Sequence, residues 1–146
     1  MAKKGDILAE LEEVRRSHKG LLRPPDVVAY AENPETELHG CFLWDNDRAG
    51  HQYRLWQARE LIRVSVEVVA GFDEPVSVYV SLRDDRKAGH GYRALADVLT
   101  DARRRKMLLV EALDDFRRME RKYAQLKELA EVFAAARRVR KRNRKK

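Results

Sequence analysis

The sequence predicts an α+β protein: N-terminal helices, then an antiparallel β-hairpin, then a C-terminal long helix or helical hairpin. Three observations predict it. Apolar residues recur at helical spacing as far as Ile62. They alternate with polar residues from Val64 to Leu82. Beyond Gly91 the chain contains neither glycine nor proline.

The first element is predicted over residues 6–17, where Ile7, Leu8, Leu11 and Val14 line one helical face, Asp6 suits an N-cap and Gly20 ends the run. "RPPDVVAYAENP" predicts a short helix from about Pro25 to Glu32, because proline is tolerated in a first turn and not inside. "NPETELHGCF" reads as a connecting loop. A third helix runs from an Asp45 cap to Ile62, with Trp44 as a hydrophobic staple on its first turn. In "RVSVEVVAG" and "PVSVYVSLR" valine alternates with polar residues on either side of Gly71–Pro75. That pattern predicts a hairpin with one buried valine face and one wet face.

"DDRKAGHGY" reads as a flexible connection, "YRALADVLT" as a short helix, and Asp101 as the cap of a long one. In that last segment Leu109, Ala112, Phe116, Met119, Tyr123, Leu126, Ala130 and Phe133 follow a 3,4 spacing, the heptad pattern of helices that pack lengthwise. Either a self-associating coiled coil or an intramolecular helical pair that bends near Ala124–Gln125 satisfies it. The expected division is residues 1–88 (helices and hairpin), 89–136 (helical arm) and 137–146 (a basic, disordered tail).

Charge is unevenly placed. The net charge is +7, but Arg137, Arg138, Arg140, Lys141, Arg142, Arg144, Lys145 and Lys146 contribute +8, leaving residues 1–136 at −1. Such a segment attracts polyanions through counterion release, and it has no apolar face for a membrane. No apolar run approaches the roughly 20 residues of a membrane span, and an acidic amphipathic start replaces a signal core. The expectation is a soluble, cytoplasmic protein of a bacterial host cell. Cys41 is the single cysteine, which rules out an intramolecular disulfide and reads as an inert thiol.

Catalytic patterns are sparse. His18, His39, His51 and His90 lie in separate segments without metal-ligand spacing, and "GHG" at 89–91 lacks the context of a phosphate loop. Asp84–Asp85 and Asp114–Asp115 sit in charged, water-facing contexts. The sequence asks for no cofactor and no metal, and reads as non-enzymatic; an enzyme would need a site assembled from dispersed residues such as His51 and His90. The third helix is more informative. At about 100° per residue, Ala49, Tyr53 and Trp56 form one apolar stripe and Leu55, Ala58 and Ile62 another, with Arg48, Gln52, Arg59 and Arg63 within about 60° of arc between them. Arginine and glutamine pair bidentately with guanine and adenine edges. Tyr53 and Trp56 are expected to anchor the core against the valine face.

Two stretches also carry a resemblance. "LRPPDVVAYAENPETELHGCFLWDNDRAGHQYRLWQARELIR" together with "YVSLRDDR", "GYRALADVLTD" and "KYAQLKELAEVF" resembles a largely uncharacterised family of small bacteriophage and prophage proteins over about residues 20–135. The resemblance implies a phage or prophage origin and brings no catalytic residues with it.

Three helices followed by a hairpin is the order of a winged-helix-like domain, with the third helix as reader. The expected function is DNA binding in an accessory or regulatory role, through Arg48, Gln52, Arg59, Arg63 and the tail cations. The alternative is a protein-interaction module that oligomerises through the 109–133 heptads or docks on a host protein.

Overall fold

The computed structural model of the chain describes residues 4–44 and 48–145. It folds as two compact units, residues 1–97 and 98–146.

The first unit begins with α1 (Lys4–Ser17), which buries Leu11 and Val14 completely. Its end is fixed locally. Lys19 and Gly20 both take the left-handed conformation, and the Gly20 N–H returns to the Arg15 carbonyl at 2.9 Å. A two-residue strand, β1 (Leu21–Leu22), follows. Arg23 is extended, as a residue before proline prefers, and Pro24 opens α2 (Pro24–Ala31). The loop after α2 is not structureless. It contains a 3₁₀ turn at Leu38–Cys41, held to α1 by the Glu10 carboxylate, which accepts the N–H groups of Glu37 (2.9 Å) and Leu38 (2.8 Å). The third helix, α3 (Arg48–Val64), packs on α2 through Ala58 and Ile62. The expected cap Asp45 lies outside the described residues, with Asn46 and Asp47.

The valine runs form a smaller hairpin than their alternation predicts. Only β2 (Val66–Glu67) pairs with β3 (Val76–Ser77), and Val64 and Val68 face solvent. The chain then changes sheet at Val78, whose N–H goes to the Ser65 carbonyl (3.1 Å) and whose carbonyl accepts the Leu95 N–H (2.8 Å). Beyond it, β4 (Tyr79–Val80) pairs with β5 (Tyr92–Ala94), and β5 pairs on its other edge with β1. All pairings are antiparallel, giving the order β1-β5-β4. Tyr79, expected on the wet face, is buried and donates its hydroxyl to Glu12 at 2.6 Å.

The segment expected as a flexible connection contains α4 (Arg83–Ala88), ended by left-handed Gly89. Asp85, expected in water, is 4% exposed and receives two 2.6 Å hydrogen bonds from Arg93. A buried carboxylate persists in a folded chain when it is paired in this way. Because β5 belongs to this sheet, the first unit runs to Asp97 and not to residue 88. The next helix, α5 (Leu95–Thr100), crosses the boundary in sequence.

The second unit is a helical hairpin, so an intramolecular pair forms, but not along the expected seam: of the eight heptad residues only Phe133 is buried, and α6 buries Leu113 instead. Asp101 caps α6 (Ala102–Tyr123) by accepting the Arg104 N–H at 2.8 Å, and that bond lowers its carboxyl pKa. The helix stops at Ala124, a 3₁₀ turn follows at Lys127–Leu129, and α7 (Ala130–Arg144) returns antiparallel. Leu113 and Phe133 are buried, Arg137 pairs with Glu120, and Arg140 donates to the Leu113 carbonyl. Residues 137–144, expected as a disordered tail, are therefore the last turns of α7. Phe133 anchors that helix on α6, and its early arginines find acceptors there. Among the described residues no helix is long and apolar enough to cross a membrane.

Gly91 has a positive φ of 80°, and a Cβ there would lie 2.6 Å from the Leu22 carbonyl oxygen. Gly91→Ala is expected to cost about 3–4 kcal/mol, from backbone strain plus separation of β1 from β5. Gly71→Ala, at φ 91° with open space around it, should cost only about 1–2 kcal/mol. Urea unfolding of both variants checks the difference. Equal midpoints would mean the strands yield at no cost.

Burial works against the Glu12 carboxylate, but hydrogen bonds from Arg15 and Tyr79 outweigh it and hold its pKa below the usual value. A depressed pKa in the folded state stabilises above the unfolded pKa, and the effect is lost as pH falls through the folded value. Glu12→Gln should thus cost about 1–2 kcal/mol at neutral pH. The gap to the parent protein should close as pH drops below about 4. A pH series of unfolding midpoints measures it, and a gap that persists in acid counts against the network.

Candidate nucleic-acid interface

The reading of α3 rests on which side of the helix is covered. Ala58 and Ile62 are fully buried, and Leu55 and Leu61 are partly so. Opposite them, Gln52, Arg59 and Arg63 are exposed, on the arc their spacing predicts. Arg48 starts the helix, and its side chain lies outside the described residues. Arg63 bonds Glu60 one turn away at 2.6 Å, whereas Arg59 makes no ion pair or hydrogen bond with a described residue.

Tyr53 and Trp56 do not anchor the core. They are 46% and 51% exposed, and stack on each other with ring centroids 5.5 Å apart and planes 19° from parallel. Between them in sequence Arg54 is buried instead, against the 38–44 loop, and donates to the Leu43 carbonyl at 3.0 Å. Its guanidinium stands 5.4 Å from the Trp44 ring centroid. A long arginine stem can line an apolar wall while its head finds acceptors and a ring face. Trp44, expected as a staple on the first turn of α3, packs chiefly on its own loop. It stacks on His39 at 4.8 Å, tilts against Phe42 at 5.7 Å, and donates its indole N–H to the His39 carbonyl at 3.0 Å. Gln57 ties the same loop to α3 through the Leu43 N–H and Cys41 carbonyl, both at 3.4 Å. The anchored loop leaves the aromatic pair uncovered. Burial, then the nearby Glu10 and Glu37, raise the Cys41 thiol pKa, the opposite of nucleophile activation.

Arg59 also lines a cleft of about 560 Å³ that sequence reading missed. Its other walls are Arg23–Asp26 at the start of α2, Ser81 and Arg86 around α4, and Gly89, Gly91 and Tyr92. Arg23 is held by Asp26 at 2.6 and 3.0 Å, and Arg86 by the Ser81 carbonyl, so both stems are positioned. Three guanidinium groups against the single carboxylate of Asp26 leave the cleft positive. Such a cleft can seat a phosphate or another oxyanion. No sequence signal marks it, because its arginines come from the residue before α2, from α3 and from α4, far apart in sequence.

His90 and His51 are both exposed. His90 Nδ1 lies 3.6 Å from the Asp85 carboxylate, which Arg93 already occupies. Among the described residues, no three His, Cys, Asp or Glu side chains are grouped to hold a metal. The predicted tail cations form a separate set on the second unit. Arg137 and Arg140 are committed to α6, Arg138, Lys141, Arg142, Arg144 and Lys145 are exposed, and Lys146 lies outside the described residues. No family model matches the chain, and no curated protein or solved structure matches it either.

Proposed function

We infer that this protein binds DNA through the outer face of α3, as a non-enzymatic accessory or regulatory protein of phage or prophage origin. The observation that carries the reading is the solvent-facing Tyr53–Trp56 stack, set beside Gln52, Arg59 and Arg63. Aromatic faces offer stacking to bases, arginines take phosphates or guanine edges, and glutamine takes adenine edges. The positive cleft beside Arg59 extends this surface with a seat for a backbone phosphate.

The order of elements supports a winged-helix reading. β1 lies between α1 and α2, α3 follows, and β1 then pairs with the last strand of the sheet. In that reading the wing is the β4–α4–β5 segment and not the small β2–β3 hairpin. The exposed cations of α7 add attraction without sequence preference. A protein-docking face is the second reading, since Tyr, Trp and Arg are also the residues that dominate protein interfaces. The surplus of guanidinium in the cleft favours a polyanion over it.

Fluorescence anisotropy with duplex and single-stranded DNA over a salt series tests the proposal. Arg59→Ala should weaken binding and reduce the salt slope by about 1. Trp56→Ala should cost about 1–3 kcal/mol on single strands. Neutralising Arg138, Lys141 and Arg142 together should lower affinity while leaving both effects in place. Binding that ignores Trp56 and Arg59 but vanishes with the α7 cations would reject α3 as the reader.

A further inference from the structure

We propose that the cleft beside Arg59 takes a phosphomonoester, the phosphate that ends a nucleic-acid strand or a free nucleotide. This deepens the reading of α3 by naming which phosphate the cleft accepts, and it rests on that reading for the strand as ligand. The arginines of the cleft belong to separate elements of the first unit. Arg23 precedes α2, Arg59 stands on α3 and Arg86 on α4, and all three line one space of about 560 Å³. Pockets for small ligands and cofactors run from roughly 300 to 1,000 Å³, so the space admits a sugar or base behind the phosphate.

Two of the arginines are held before any ligand arrives. Arg23 donates Nε and Nη2 to the Asp26 carboxylate at 2.6 and 3.0 Å, which leaves its Nη1 outside that pair. Its stem lies against Gly91, where a Cβ would stand 3.2 Å from the Arg23 Cγ. Arg86 donates Nη1 to the Ser81 carbonyl. Guanidinium groups positioned in this way lose little freedom when a ligand binds. Asp26 is the one carboxylate of the lining, and cations already occupy it. Both of its oxygens accept from Arg23, and His18 Nε2 lies 3.6 Å from Oδ1.

Charge and acceptor count select the phosphomonoester. Three guanidinium groups and one carboxylate leave the lining at +2. A phosphomonoester carries nearly two negative charges at neutral pH and offers three acceptor oxygens, one for each arginine. A phosphodiester inside a strand carries a single charge and has only two oxygens outside its ester links. An acidic side chain is limited in the same way, to one charge and two oxygens. Half-buried Tyr92 lines the same cleft, with a hydroxyl that has no hydrogen-bond partner among the described residues and is a further donor.

Fluorescence anisotropy on the full chain tests this with one single-stranded oligonucleotide carrying a 5′-phosphate, a 3′-phosphate, or hydroxyls at both ends. A phosphorylated end should bind about tenfold tighter than hydroxyl ends. Arg23→Gln and Arg86→Gln should each abolish that preference, with circular dichroism melting as the folding control. Trp56→Ala should weaken all three oligonucleotides and leave their ratio unchanged. Calorimetry with adenosine 5′-monophosphate against adenosine separates the two sources. Binding as tight as the phosphorylated strand identifies a free nucleotide, and weaker binding identifies the strand end. Equal affinity for phosphorylated and hydroxyl ends, with no preference for the monophosphate over adenosine, overturns the proposal and leaves the α3 reading standing. A preference that survives both arginine substitutions overturns it too, because the phosphate then sits elsewhere. Failure of the α3 reading looks different: Trp56→Ala changes nothing while the preference for a phosphorylated end persists. If no strand binds at all, the nucleotide measurement alone decides.

Discussion

The first unit depends on the close approach of Gly91 to the Leu22 carbonyl. A strand of two residues, β1, has little pairing of its own, and it persists because β5 docks against it at van der Waals range. That approach needs a residue with positive φ and no Cβ. Once β5 is docked there, its remaining edge is open to β4, the Ser81 hydroxyl reaches the Gly91 carbonyl at 2.8 Å, and Arg93 faces Asp85. The cleft beside Arg59 is a by-product of the same contact. Gly89 and Gly91 form one wall, the α2 start behind Leu22 forms another, and neither would stand there without the β1–β5 pair.

What was legible in the sequence was what is decided locally. The Leu11–Val14 face, Pro24 at the start of α2, the Asp101 cap and the break after Tyr123 each depend on residues within one or two turns. The strands were legible only as strands. A period of two says that Val76–Leu82 is extended, but not that the run divides at Val78 between two sheets. Nor could composition reveal α4, a six-residue helix too short to stand alone. Its Asp85 is fixed by Arg93 from the neighbouring strand. The basic tail was misread for a related reason. A run of like charges predicts disorder when nothing lies opposite, and here Glu120 and the Leu113 carbonyl lie opposite.

At the candidate site the arc was legible and the burial was not. Helical periodicity placed Gln52, Arg59 and Arg63 on one side correctly, because it needs only the chain's own geometry. Which flank of that arc enters the core depends on what the 38–44 loop offers. The loop offers a carbonyl and an indole face, and the Arg54 guanidinium engages both. Hydrophobicity ranks tryptophan above arginine for burial, and the local hydrogen-bond acceptors reverse that order.

Net charge is a poor guide to this surface, because what matters is which charges are already engaged. Residues 1–136 sum to −1, yet several carboxylates of the first unit are turned to internal tasks. Glu12 holds Arg15 and Tyr79, Glu10 holds two backbone N–H groups, and Asp85 holds Arg93. The Glu12 and Asp85 pairs cancel an arginine each, Glu10 is turned to backbone N–H groups, and none of the three lines the cleft. Among the described residues Arg59 has no such counterpart, and its cleft keeps more guanidinium than carboxylate. At physiological ionic strength fields fade over about 8 Å, so a ligand at the cleft meets that local surplus and little of the balance elsewhere. A nearly neutral body can in this way carry a locally cationic cleft, and here that cleft includes Arg59 of the helix whose aromatic pair is left uncovered.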